Sequence, residues 1–257
     1  MSNVVATRLS VNAGDASLVR EASIRFGQGE LVAILGPNGA GKTSLLRALM
    51  GLAKAASGSV TIDGEDGLKM SAVERARHVS YLPQIRPLAW PANVHDVVAL
   101  GRYAHGAALG KLGAVDSTAV NRAIEACDLI ALADRKTDTL SGGEIARVHF
   151  ARALAANTPL LIADEPVAAL DPLHQLSLAA LLTGFVNKGG GALVVLHEVA
   201  LAARIATRLV WMQDGQIVAD GSPDETLTAE RMRDIYGVRA EISSGPHGPE
   251  VRIEGIA

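Results

Sequence analysis

The sequence predicts an α/β fold built on a mostly parallel sheet. Three observations carry that prediction. The apolar run Glu30-Leu31-Val32-Ala33-Ile34-Leu35 leads into a glycine-rich turn and then into Thr43 to Leu52, where apolar residues recur at helical spacing. From Leu160 onward, short apolar runs alternate with helical ones, as parallel strands joined by crossover helices require. Residues 3–30 and 58–63 instead hold short alternating or β-branched segments such as Val60-Thr61-Ile62. These predict a small antiparallel sheet beside the turn.

The turn reads Gly36-Pro37-Asn38-Gly39-Ala40-Gly41-Lys42-Thr43-Ser44. Strand, glycine loop and helix in that order form the context of a phosphate-binding loop. A polyphosphate carries closely spaced negative oxygens, so a loop that wraps it must offer many bare N–H groups. Gly36, Gly39 and Gly41 have no Cβ to block that approach and tolerate positive φ. The helix starting at Gly41-Lys42 adds free N–H groups and the positive end of its dipole. Lys42 supplies a point charge for β- and γ-phosphates, and the Thr43 hydroxyl is placed for Mg²⁺. The expected ligand is a nucleoside triphosphate.

Residues 88–157 read as helical, with Asn93 to Tyr103, Asp116 to Asp128 and Gly143 to Ala156 separated in part by a Gly- and Ala-rich loop over 104–115. Leu140-Ser141-Gly142-Gly143-Glu144 precedes the last of these helices. A hydroxyl and unobstructed backbone N–H groups at a helix start make a second anion site. It has no phosphate of its own within the chain.

Pro159-Leu160-Leu161-Ile162-Ala163-Asp164-Glu165-Pro166 is a buried-strand pattern ending in two carboxylates. Parallel sheets bind ligands at the carboxyl ends of their strands. Asp164 is therefore expected to hold Mg²⁺ through water. Glu165 is expected to act on the water that attacks the γ-phosphate, as general base or polariser. The strand Ala192-Leu193-Val194-Val195-Leu196 ends in His197, which can donate to the same phosphate. Segments 209–212 and 216–219 predict a hairpin, and Leu227 to Tyr236 a surface helix.

Composition narrows the class. The chain has 257 residues, and no apolar run is long enough to cross a bilayer. No signal-peptide pattern opens it. A net charge of −3 with scattered basic residues argues against a nucleic-acid surface. The single cysteine, Cys127, fits a buried small apolar position and a reducing compartment. The seven histidines lack metal-ligand spacing.

Together these motifs resemble the ATP-binding cassette (ABC) ATPases, over essentially the whole chain. Gly36 to Ser44 resembles Walker A, Gln84 after Tyr81-Leu82-Pro83 the Q-loop, and Leu140 to Glu144 the signature. Asp164-Glu165 resembles Walker B, Ala169-Leu170-Asp171 the D-loop and His197 the H-loop. The resemblance implies a P-loop cassette: one ABC ATPase domain over 1–257. Its RecA-like core (1–84 and 156–257) would carry the antiparallel β subdomain and a C-terminal extension. Residues 85–155 would form an inserted helical subdomain that receives a coupling helix from a membrane subunit. It implies Glu165, His197, Lys42 and Gln84 as catalytic residues, and Thr43, Gln84 and Asp164 around Mg²⁺. It also implies a head-to-tail homodimer in which the signature of one copy completes the ATP site of the other.

Shorter matches resemble a narrower group, the importer ATPases for iron–siderophore, heme and cobalamin. They are Tyr81 to Gln84, Asp96 to Tyr103, Asp171 with His174-Gln175, and Ile235-Tyr236-Gly237-Val238 with a short β extension. That group implies two transmembrane permease subunits, a periplasmic binding protein acting indirectly, and a place on the cytoplasmic face of the inner membrane. Departures from the pattern are visible. The stretch near Val11 lacks the aromatic that commonly stacks on adenine, and Phe26 is expected to pack in the sheet. Ile145-Ala146-Arg147 replaces the usual polar run after the signature. Val167 and Ala168 replace small hydroxyl residues, and Glu198 follows His197 where Asp is frequent. The alternatives are an exporter or lipid-transport cassette, and a soluble ABC protein acting on DNA or ribosomes. The DNA-repair type carries a long coiled coil between Walker A and signature, and the ribosomal type two cassettes per chain. Neither feature occurs here.

Overall fold

The computed structural model describes residues 1–84, 91–107, 110–245 and 248–257. Its antiparallel sheet joins β1 (Asn3–Ala13), β2 (Ala16–Gly27), β4 (Ser57–Ile62) and β5 (Glu65–Asp66) in the order β2-β1-β4-β5. The main sheet contains β3 (Leu31–Leu35), β6 (Val79–Leu82), β7 (Leu160–Asp164), β8 (Gly191–Val195), β9 (Arg208–Gln213) and β10 (Gln216–Gly221). Its order is β10-β9-β3-β8-β7-β6. The pairings β9–β3, β3–β8, β8–β7 and β7–β6 are parallel, and only the edge hairpin strand β10 runs antiparallel. β3, β7 and β8 are buried at every position. Their continuous apolar runs follow from being covered on both faces.

The pleat divides the core in two. Leu31, Ala33, Leu35, Leu161, Ala163, Val194 and Trp211 face one cluster. Helices of that layer are α3 (Val94–Ala99), α4 (Ala114–Ala126), α5 (Gly142–Ala155), α6 (Pro172–Asn187) and α7 (Val199–Ile205). Val32, Ile34, Ile162, Leu193, Val195 and Met212 face the other cluster, with α1 (Lys42–Leu49) and the antiparallel sheet. Phe26 is 1 % exposed in this second cluster, as expected of it. Val11, in the stretch that lacks an adenine-stacking aromatic, is also buried there. The short α2 (Ala72–His78) precedes β6.

Arg102 ties the helical layer together. It is 5 % exposed, pairs with Asp116 at 2.8 Å and donates to the Ala155 and Ala156 carbonyls at 3.0 and 3.2 Å. A cation there satisfies the last carbonyls of α5, where the helix dipole is negative. Cys127 ends α4 at 1 % exposure, and burial pushes its thiol up to about 12.

The C-terminal region adds one element to the sequence reading. The expected surface helix over 227–236 is α9 (Ala229–Tyr236), and a short helix that was not expected, α8 (Pro223–Thr226), precedes it. Met232 and Ile235 are buried while Ala229, Glu230, Arg233 and Asp234 are exposed, so α9 lies on the surface with one face docked. The expected β extension forms a hairpin of β11 (Val238–Gly245) and β12 (Gly248–Ile256). Part of the predicted helical stretch and of the 104–115 loop (residues 88–90 and 108–109) lies outside the described residues.

Candidate functional site: the carboxyl ends of β3, β7 and β8

Leaving β3, the chain turns sharply at Gly36, where φ is 149°. A Cβ there would stand 2.1 Å from the Met212 carbonyl oxygen, so only glycine fits. Gly41 precedes α1 at φ 93°, and a Cβ there would stand 2.2 Å from the Leu18 carbonyl oxygen. The loop is thus pressed against β9 on one side and β2 on the other. The tip of the β9–β10 hairpin closes over it, since the Gly215 N–H donates to the Ala40 carbonyl at 3.2 Å. Asn38 and Gly39 are exposed, Pro37 and Ser44 half-buried, and Ala40 buried.

Lys42 is 5 % exposed, and its ammonium donates to the Gly36 and Pro37 carbonyls at 2.7 and 2.9 Å. Burial lowers its pKa, while Glu165 and Asp164 pull it back up. The loop therefore curls around its own lysine. Thr43, next in α1, donates through Oγ1 to Asp164 Oδ1 at 3.2 Å. Asp164 closes β7 and is 1 % exposed. Burial raises its carboxyl above the ordinary range; the Thr43 bond and Lys42 oppose this and Glu165 adds to it.

Glu165 takes a left-handed backbone, φ 47°. One carboxylate oxygen accepts from Gln84 Nε2 and the other lies 2.5 Å from His197 Nε2. Gln84 follows β6 and His197 follows β8, so three strand ends converge on one carboxylate. Two groups result: Thr43 with Asp164, and Glu165 with Gln84 and His197. Gln84 joins the second of these; its amide contacts Glu165.

Leu140 to Glu144 stands apart, at the start of α5. Ser141 Oγ accepts from the Glu144 N–H at 3.3 Å, and the Glu144 carboxylate accepts from the Ser141 N–H at 2.8 Å. This reciprocal cap lowers the Glu144 pKa, chiefly through the backbone hydrogen bond. Ser141 and Gly142 are exposed, and Leu140 packs against the helical-layer core. Gly143 is not unobstructed: a Cβ on it would stand 1.8 Å from the His174 ring. His174 is held by Asp171, which accepts its N–H at 3.0 Å and pairs with Nδ1 at 2.8 Å. That backbone bond, first, lowers the Asp171 pKa. Asp171 thus caps α6 and aims a ring at α5.

Sequence reasoning missed two residues. His174 covers Gly143, and the Tyr236 hydroxyl accepts from the Gly36 N–H at 3.0 Å. Both stood inside short stretches noticed only for their family likeness. Neither contact has a local sequence signal, because the partners are 31 and 200 positions apart.

A fully parallel strand trio, a glycine loop around a lysine, and an acid-ended neighbour strand define a P-loop nucleotide-binding protein. The family model for the ABC transporter domain matches residues 19–168, more than half of the chain. Ferric enterobactin transport ATP-binding protein FepC of Escherichia coli K12 is 37% identical over 93% of this chain and 89% of its own. Hemin import ATP-binding protein HmuV of Pseudomonas fluorescens Pf-5 is 37% identical over 93% and 94%. A chain of a metal-chelate type ABC transporter in an inward-facing conformation superposes with a TM-score of 0.84, covering 100% of this chain and 98% of that one at 21% identity. The chain belongs to the ABC transporter family, as an ATP-binding cassette and an ATPase. Among the described residues, no helix is long and apolar enough to cross a membrane.

Proposed function

We propose that this chain is the ATP-hydrolysing subunit of an importer for an iron–siderophore, heme or cobalamin type substrate. Two copies would close head to tail on ATP and drive two transmembrane permeases from the cytoplasmic face of the inner membrane, with a periplasmic binding protein delivering the solute. The observation that carries the chemistry is the Glu165 carboxylate, gripped by Gln84 and His197 beside the buried Asp164–Thr43 pair. The substrate class is supported by the relatives' names, ferric enterobactin transport and hemin import among them. The division into a RecA-like core and an inserted helical subdomain over 85–155 belongs to this proposal as well.

The residues act as follows. Lys42 leaves the Gly36 and Pro37 carbonyls for the β- and γ-phosphates, an exchange of neutral acceptors for charged ones. The N–H groups of Gly39, Gly41 and the first turn of α1 hold the remaining phosphate oxygens. Thr43 Oγ1 and Asp164 form a hard-oxygen pair that suits Mg²⁺, and Gln84, whose amide nitrogen donates to the adjacent Glu165, would join them through its amide oxygen. Mg²⁺, when bound there, neutralises charge on the β- and γ-phosphates. Glu165 orients the attacking water and takes its proton, and Gln84 and His197 keep its carboxylate aimed. Ser141, Gly142 and Gly143 of the other copy face the γ-phosphate from the far side, and hydrolysis releases them.

The test is an ATP-dependent dimer. With Glu165→Gln, ATP should convert the chain to a stable dimer by light scattering, and Ser141→Arg in the same background should prevent it. A monomer that hydrolyses ATP at full rate in dilute solution would end the shared-site reading. Uptake of labelled siderophore, heme or cobalamin into vesicles carrying the cognate permease separates the substrate classes, and outward transport would replace the importer reading.

A further inference from the structure

We propose that Tyr236 is a positioning residue for the nucleotide site, holding the phosphate loop at Gly36 through its hydroxyl. The inference rests on the reading of Gly36 to Ser44 as the nucleotide site.

Gly36 is buried, and a buried N–H needs an acceptor. At this point β3 has left the sheet: its last ladder pairing to β9 is Leu35 with Trp211. Tyr236 Oη supplies the acceptor at 3.0 Å, from the last residue of α9. A side-chain hydroxyl thus takes the place of the next ladder carbonyl. The approach is possible because Gly36 has no side chain and turns at φ 149°.

The ring is anchored independently of the loop. It meets Trp211 edge to face, with centroids 6.3 Å apart and planes at 67°. Arg231 lies over the Trp211 ring at 5.9 Å. Gly237 follows with φ 68° and ends the helix, fixing the direction from which Tyr236 reaches. Burial pushes the phenol up to about 12, so the hydroxyl keeps its proton throughout the physiological range.

Gly36 is therefore gripped twice, at its N–H by Tyr236 and at its carbonyl by Lys42. The second grip ends when Lys42 turns to a phosphate. The first involves no group that the nucleotide recruits, so it persists as the remaining hold on Gly36. Tyr236 keeps the loop in shape while its lysine is in use, and its hydrogen bond contributes most when ATP is bound. The C-terminal segment, beyond the last of the cassette motifs at His197, becomes part of the nucleotide site's frame.

The experiment uses the full chain with three variants: Tyr236→Phe, Tyr236→Leu and Lys42→Ala. Binding of a fluorescent ATP analogue, ATPase KM and kcat, and Tm are read for each. Tyr236→Phe removes only the acceptor. It should raise Kd and KM for ATP about three- to tenfold, the factor one hydrogen bond supplies, with kcat retained. Tyr236→Leu should raise KM by the same factor while lowering Tm further, because the ring packing is also gone. If Tyr236→Phe binds ATP like the parent, or if affinity is lost only in Tyr236→Leu together with Tm, the hydroxyl has no positioning role. Lys42→Ala distinguishes the failures. Lost affinity there with none lost in Tyr236→Phe overturns this inference alone, whereas parental affinity in Lys42→Ala removes the loop assignment and this inference with it.

Discussion

Two helix starts in this molecule offer backbone N–H groups, and they are built in opposite ways. The start of α1 is buried, glycine-strained and charged: Lys42 sits inside the loop, and Gly36 and Gly41 exist only because β9 and β2 press in. The start of α5 is exposed at Ser141 and Gly142 and capped by an anionic side chain, with Ser141 and Glu144 satisfying each other and no lysine in the motif. A helix dipole alone is a weak attractor, on the order of 1 kcal/mol. The difference teaches which start can recruit a polyphosphate and which can only meet one already held. A site without its own cation gains an anion only when another surface presents it. That asymmetry is the physical argument for two copies sharing one nucleotide.

The largest break expected in this comparison is at Glu165. Glu165→Gln should cut phosphate release on the order of 10²–10⁴-fold, the range for losing a general base, and leave ATP affinity intact. Its carboxylate belongs to the α1 side of the comparison, since Gln84 and His197 hold it at the strand ends beside Asp164. Full turnover by the amide variant would move the chemistry elsewhere.

Gly143 tests the α5 side. A Cβ there meets the His174 ring at 1.8 Å, so Gly143→Ala should destabilise the fold by about 1–3 kcal/mol, as overpacking does. Hydrolysis should fall with it. Adding His174→Ala empties the space the new methyl needs and should restore Tm. It should not restore hydrolysis if the proposed dimer uses the His174 ring itself to set the position of the start of α5. Recovery of both in the double variant would reduce Gly143 to a packing residue and weaken the shared-nucleotide argument.

Much of this was legible in the sequence, and the limits are physical. The loop, the acid-ended strand and the signature announce themselves because each needs particular residue types in consecutive positions. The parallel sheet is legible because a strand buried on both faces is apolar throughout, as β3, β7 and β8 are. The reach of α9 to the phosphate loop was not legible. Its eight residues read as amphipathic, and nothing local says that Tyr236 reaches a glycine 200 positions earlier. The cover on Gly143 was hidden for the same reason. A glycine's neighbours across a fold are set by packing, whereas its tolerance of positive φ is set by its own lack of a side chain.

A smaller effect separates stability from function at Asp164. Burial holds its carboxyl above the ordinary range. A carboxyl whose native pKa is raised binds its proton more tightly folded than unfolded. Its contribution is present below the ordinary carboxylate value and is lost as pH rises through the raised one, so at neutral pH the ionised side chain is a cost. Asp164→Asn should therefore raise the Tm of the nucleotide-free chain by about 2–4 °C, the shift that roughly 1 kcal/mol makes at this size. It should also flatten the fall in Tm between acid and neutral pH and abolish Mg²⁺-dependent hydrolysis. A lowered Tm would mean that the Thr43 hydrogen bond outweighs desolvation.

The finest test uses a repetition built into the chain. Ser71–Glu74, Ser141–Glu144 and Ser222–Glu225 form the same reciprocal cap, with hydroxyl bonds of 3.2, 3.3 and 3.3 Å and carboxylate bonds of 2.8, 2.8 and 2.9 Å. As caps they are interchangeable. Replacing each serine with alanine should cost about 1 kcal/mol of stability in every case. Only Ser141 stands in the signature, so only Ser141→Ala should lower the ATPase rate beyond what its stability loss explains, and only it should weaken ATP-dependent dimerisation. The other two variants calibrate the cap, and whatever remains at Ser141 is the hydroxyl's contact with another copy's nucleotide. Three variants with equal Tm shifts and equal rates would leave Ser141 a cap like its twins, and the start of α5 would lose its claim on any phosphate.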